Sequence, residues 1–277
     1  MTQVENTQKT HRTFLSSISV ILGTTLLGAI VAYGGSYLKS KTWLAEAHVS
    51  APDIALLGNY YALSSTYQFI KNKENQHQET EIVYQEFLKQ LMSEEMIRRF
   101  WENTEYYKQK QTGEDHIDLA LLEKLTKAIK FKSAQTLDVA DSVSLTLENP
   151  KLATELLSSF IDQVNVETRK IVYSNLISQW KVLFEQVKKA TEFNLGKNAQ
   201  SALVLEDWNG KLQMMRSVSP LDEQFSAYRY LKKPTQPIMQ RSPNRKCWAS
   251  VGALIGFILS FFTLSLFNSR KKLINTL

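Results

Sequence analysis

Two stretches interrupt the mixture of apolar and polar positions that fills the rest of the chain. From Thr13 to Leu38 there are 26 consecutive residues without Asp, Glu, Lys, Arg or His, and from Cys247 to Ser269 there are 23 more. At about 1.5 Å of rise per residue, a helix of either run crosses the ~30 Å hydrocarbon core of a bilayer. Both runs end in basic clusters, which a buried helix of a soluble protein does not need. The first run is too long for the ~7 to 15-residue apolar core of a signal peptide, and no small-x-small cleavage site is followed by a change of composition. Tyr33, Tyr37 and Trp43 instead lie where interfacial aromatic residues anchor a retained helix. The expected organisation is a tail over 1–13, a span over 14–38, a body over 39–246, a second span over 247–268 and a tail over 269–277.

Within the body, Trp43, Ala45, Ala47 and Val49 alternate with Leu44, Glu46 and His48, the period of two of a strand. A second strand is predicted where Val143, Leu145 and Leu147 alternate with Ser144 and Thr146, and the two pair in a small sheet next to the membrane. Three helices are predicted between them. Ile54 to Ile70 follows Pro52, with Asp53 as N-cap. Glu79 to Lys110 carries Val83, Phe87, Leu91, Ile97, Phe100 and Trp101 at helical spacing, and Glu114 to Phe131 carries Leu119, Leu122, Leu125 and Ile129.

The longest helix is predicted to open at Asn149-Pro150, where Asn caps and Pro fills the first helical position. No Gly or Pro occurs from Lys151 to Leu195, so a continuous helix there is about 68 Å long. Its early apolar stripe is Leu157, Phe160, Ile161 and Val164, and its later one Ile177, Trp180, Phe184 and Val187. A helix of that length projects beyond a compact body of this size. Gly196 and the stretch Asp207 to Gly210 offer turns before a returning helix of Lys211 to Val218. Pro234, Pro237 and Pro243 make residues 232–246 an extended, semi-rigid strut into the second span.

Charge alters this picture little. The formal net charge is +6, and much of the basic excess flanks the spans, where it reads as contact with lipid headgroups rather than with nucleic acid. Lys9 and Arg12 precede the first span and Lys39 and Lys41 follow it. Arg245 and Lys246 precede the second, and Arg270, Lys271 and Lys272 follow it, so the positive-inside count is nearly balanced. The single Cys247 excludes an internal disulfide. His11, His48, His77 and His116 are scattered, no phosphate-binding loop or nucleophile elbow is present, and carboxylates such as Glu94 and Glu95 sit on basic amphipathic helices. No catalytic, cofactor or metal site is expected. The few residues after the second span are too short for a signalling output domain. One constructive signal lies in that span: Gly252 and Gly256 form a G-x-x-x-G pair, with Ala249 and Ala253 as a second small-residue ridge and Ser260 extending the first, a pattern that lets helix backbones approach closely.

Several stretches, in order along the chain, resemble the Wzz-type chain-length determinants, the polysaccharide co-polymerases. Trp43 and then LLGNYY from Leu56 to Tyr61 look like the family's opening strand and helix. YQEFLKQL from Tyr84 to Leu91, RRFW from Arg98 to Trp101, EYYKQK from Glu105 to Lys110 and LALLEKL from Leu119 to Leu125 are similar to the branch that modulates enterobacterial common antigen. YRYLKKPTQPIMQRSPNRK from Tyr228 to Lys246 looks like the proline-rich approach to the second span. The region from Gln186 to Leu205 is short for the family, so the helical arm is expected to be truncated. The amino-terminal tail lacks the acidic-apolar segment usual before the first span.

The resemblance implies an α+β, predominantly helical fold with two transmembrane helices flanking a periplasmic domain, in the bacterial inner membrane with both termini cytoplasmic. It implies a homo-oligomer that acts with a Wzy-type polymerase on a lipid-linked glycan, without catalysis or cofactor of its own. The expected function is control of the modal length of enterobacterial common antigen. The alternatives are the same role for O-antigen, or a two-span periplasmic sensor or adaptor.

Overall fold

The computed structural model describes residues 2–72, 78–134, 140–195 and 207–274, with side chains from 18 to 265 within those ranges. The chain divides into two compact units, 1–43 with 237–277, and 44–236.

The first unit is a pair of long helices, α1 (Thr2–Gly35) and α9 (Arg245–Ile274). The stretches Ile18–Leu38 and Arg245–Ser265 are long and apolar enough to cross a membrane. Leu22, Leu26, Leu27 and Ile30 of α1, like Leu254, Ile255, Phe261 and Phe262 of α9, leave half or more of their surface exposed, as lipid-facing side chains do.

The second unit holds a four-stranded sheet in the order β2-β3-β1-β4. Its strands are β1 (Trp43–Ser50), β2 (Ile129–Lys132), β3 (Asp141–Leu147) and β4 (Arg229–Lys232). The expected neighbours β1 and β3 do lie side by side. The alternation predicts the buried face correctly: Ala45, Ala47 and Val49 of β1 and Val143, Leu145 and Leu147 of β3 are all buried.

β2 and β4 depart from expectation. The helical spacing predicts Ile129 and Phe131 at the end of a helix over Glu114–Phe131, but that helix, α6, spans Asp115–Thr126. Ile129 and Phe131 instead pair with Leu145 and Val143 in an antiparallel ladder. Ile129-Lys130-Phe131-Lys132 satisfies a period of two as well as the tail of a helical stripe, and the open edge of β3 decides between them. β4 pairs antiparallel with β1, with a register irregularity between His48 and Val49.

The expected single helix over Glu79–Lys110 is three: α3 (Glu79–Met92), α4 (Glu94–Asn103) and α5 (Glu105–Lys108). No Gly or Pro marks the breaks. Ser93 and Thr104 make them, each extended at its backbone and each accepting a hydrogen bond at 3.3 Å, from the N–H of Met96 and of Tyr107. Ile54–Leu57 is a 3-10 turn, and α2 begins only at Asn59 and ends at Ile70. Asp53 caps nothing with its side chain; its carboxylate pairs with Arg229 at 3.1 Å.

α7 (Pro150–Glu192) runs 43 residues, about 65 Å. Asn149 Oδ1 accepts from the N–H groups of Lys151 and Leu152 at 3.0 and 3.2 Å, the expected cap. The early stripe is buried as predicted. The later one is rotated by about one residue: Val172, Leu176, Leu183 and Val187 are buried, Trp180 and Phe184 half-buried, and Ile177 exposed. The returning helix, α8, spans Trp208–Arg216, with Asp207 accepting from Gly210 N–H at 2.9 Å, so the proposed turn is its cap and first turn. Gly196, His77 and the end of the arm lie outside the described residues. Phe87, Phe100, Trp101, Leu157, Phe160 and Ile161 form the centre of the core.

Candidate functional site: the helix pair and the strapped arm

α1 and α9 meet through their backbones. A Cβ at Gly28 would collide with the carbonyl oxygen of Gly252, one at Gly252 with the Gly28 carbonyl oxygen and the Ala32 methyl, and one at Gly256 with the Thr24 carbonyl oxygen. As positions rise along α1 they fall along α9, so the helices run antiparallel. Gly252, Gly256 and Ser260 are buried, while Ala249 and Ala253 are half-buried. The surface that receives them is Thr24, Gly28 and Ala32, also four apart. Its spacing carries the same small-residue signal as Gly252 and Gly256, weakened in the sequence by Thr24 at one of the three positions. Thr24 and Thr263 turn their hydroxyls back onto the carbonyls of Val20 and Ser260, so neither carries an unpaired group into the contact. Beside it runs an apolar groove of about 520 Å³ lined by Leu27, Val31, Ile255 and Leu259 among others.

Of the strut prolines, Pro234 and Pro237 are half-buried and Pro243 is buried. No helix or strand forms over 233–240, as the prolines dictate. The ladder is not wholly interrupted, since Thr42 bridges to Ser242, its N–H donating to the Ser242 carbonyl at 2.9 Å and its carbonyl accepting from Arg241 at 2.8 Å.

In the second unit, the segment before β4 is strapped along one face of α7. Asn165 Oδ1 accepts from Ala227 N–H at 2.7 Å, Arg169 donates to the Glu223 carbonyl at 2.9 Å, and Tyr173 donates to the Asp222 carbonyl at 2.8 Å. Tyr228 adds a 3.1 Å bond to Asp162. The four residues Asp162, Asn165, Arg169 and Tyr173 are spaced three and four apart, one face of a helix. Tyr60, Tyr173 and Phe225 pack ring to ring, and Tyr228 stacks on Phe87 at 4.9 Å. Burial raises the ionisation of these phenols: Tyr173 is pushed up to about 12, and Tyr60, Tyr84 and Tyr228 are pushed higher, aided by Glu79, Asp141 and, for Tyr228, by Tyr230 and Asp162. They are structural hydroxyls held neutral. Among the described residues no group of three or more His, Cys, Asp and Glu is placed to hold a metal ion.

This arrangement, a small sheet under a long helical arm with two apolar terminal helices, is the polysaccharide co-polymerase fold. A full-length bacterial polysaccharide co-polymerase superposes with a TM-score of 0.58 over 91% of this chain and 94% of that one, at 14% identity. A fragment of the polysaccharide co-polymerase WzzB from Salmonella Typhimurium superposes at 0.51 over 73% of this chain and all of the fragment, at 16% identity. In sequence, the chain is similar to the ECA polysaccharide chain length modulation protein of Salmonella typhimurium strain LT2, 27% identical over 308 residues that cover 85% of this chain and 88% of that protein. The protein of the same description from Escherichia coli K12 is 26% identical with the same coverage. The match is longer than the 277 residues of this chain, so this chain is the shorter through it. No family model matches the chain.

Proposed function

We propose that this protein regulates the chain length of a surface polysaccharide, setting the modal length of enterobacterial common antigen. The observation that carries the reading is the sequence match to common-antigen length modulators across 85% of the chain, on a fold shared with a full-length co-polymerase. In this reading α1 and α9 cross the bacterial inner membrane, both termini are cytoplasmic, and the body of 44–236 stands in the periplasm. The protein assembles with copies of itself and works beside a Wzy-type polymerase that extends a lipid-linked glycan. The relatives' description as chain length modulation proteins supports a role without a catalytic group of its own.

The test is a gel of surface polysaccharides from cells with and without the gene. Loss of the gene should leave common antigen present but spread its lengths. An unchanged distribution overturns the reading, and a change confined to the lipopolysaccharide ladder reassigns it to O-antigen.

A further inference from the structure

The end of the helix pair that adjoins the strut gathers five cations. Lys39 and Lys41 leave α1, Arg241 precedes α9, and Arg245 and Lys246 begin it. The Thr42–Ser242 bridge holds the two chain segments together there. Arg245 lies over the Tyr37 ring at 4.1 Å and donates to its hydroxyl at 3.1 Å, while Lys39 lies 5.9 Å from the Trp248 ring centre. None of the five has an acidic partner among the described residues, and the Arg245 Nε–H is buried without one of any kind. The imbalance extends through the whole unit. Residues 1–43 and 237–277 hold ten Lys and Arg against Glu5 alone, a formal +9, which leaves 44–236 at −3 within the total of +6.

The same segments carry apolar side chains that the described residues leave bare: Ile238 is 98% exposed, Met239 84% and Leu38 92%. Uncompensated cations and bare apolar side chains on the same two segments, at the end of two membrane-length helices, have the chemistry that receives an acidic lipid: cations for the phosphate, apolar side chains for the acyl chains.

We propose that this collar binds the phosphate headgroups of anionic phospholipids, with Lys39, Lys41, Arg241, Arg245 and Lys246 on the phosphates and Ile238 and Met239 sunk among the acyl chains. The inference rests on the reading that α1 and α9 span a bilayer. Aromatic contact pre-orders Arg245 and Lys39, so less side-chain freedom is lost when a phosphate binds.

The experiment reconstitutes the full chain in phosphatidylcholine nanodiscs with and without phosphatidylglycerol, and measures phosphatidylglycerol bound per chain by native mass spectrometry across a lipid titration. Each cation removed should weaken binding about fivefold, so Arg241→Gln, Arg245→Gln and Lys246→Gln together should weaken it about a hundredfold. Lys39→Gln with Lys41→Gln should act in the same direction and keeps the test open should the triple variant fail to incorporate. Ile238→Ser with Met239→Ser should weaken binding at unchanged charge. Equal binding by the collar variants and the unaltered chain overturns the proposal. So does an equal loss from Arg270→Gln, Lys271→Gln and Lys272→Gln at the other end of α9, which would make the effect one of net charge. Displacement of the lipid by an equal concentration of inorganic phosphate overturns the lipid as ligand. A chain that enters no phosphatidylcholine disc overturns the spanning reading itself and the collar with it.

Discussion

Single residues fix the places where this chain bends or closes. Gly58 sits at a φ of +53°, between the 3-10 turn and α2, and a Cβ there would lie 2.8 Å from the Asp222 carboxylate, which also accepts from the Asn59 N–H at 3.3 Å. Gly58→Ala therefore meets both left-handed strain and a displaced cap, and should cost about 1–3 kcal/mol in thermal or denaturant unfolding. Among the described residues Trp101 is the largest fully buried side chain, yet its indole N–H has no partner there. Trp101→Ala should destabilise by about 3–5 kcal/mol through the cavity it leaves. Trp101→Phe should cost clearly less, because it also removes an unsatisfied donor. Ser93 and Thr104 belong to the same scale. Their signature is in the sequence, a hydroxyl followed at once by Glu94-Glu95 or Glu105, but periodicity alone passes over it because the apolar stripe continues across both breaks.

At the scale of elements, the long arm and its strap act together. Asn165→Ala removes a 2.7 Å bond to Ala227 N–H, leaves the amide of that buried residue unpaired and should loosen the run into β4, seen as faster amide exchange from 222 to 232. The neutral tyrosines give the same region an alkaline limit. Their folded ionisation lies above the ordinary value of 10, so the stability they contribute is complete below pH 10. It is lost progressively as pH rises from 10 through the folded values, the first of them that of Tyr173 at about 12. Unfolding on alkaline titration should coincide with the appearance of tyrosinate absorbance, not precede it. The two long apolar helices, β1, β3, the start of α7 and its early stripe were legible in the sequence, since length, alternation and an Asn-Pro cap are local signals. β2, β4 and the rotation of the later stripe were not. Whether Ile129-Lys130-Phe131-Lys132 extends or coils depends on β3, more than ten residues away, and which side of the distal arm is buried depends on what α8 covers.

For the whole molecule, the helix pair is the part whose geometry leaves least room for change. The sequence supplied Gly252 and Gly256, but their counterparts on α1 emerged only when the chain was folded, because two ridges in distant segments become one contact through antiparallel pairing. Gly252→Leu with Gly256→Leu should force the helices apart and lower the thermal midpoint of the detergent-solubilised protein. The same exchange at Ala249 and Ala253, which are half-buried, should disturb it less. The division of charge between the two units has a consequence for handling the protein. At neutral pH the intact chain migrates as a cation, whereas the piece from 44 to 236, once cut free by a protease on either side, carries −3 and must migrate towards the opposite electrode. Reversal of electrophoretic direction thus becomes a direct readout of cleavage.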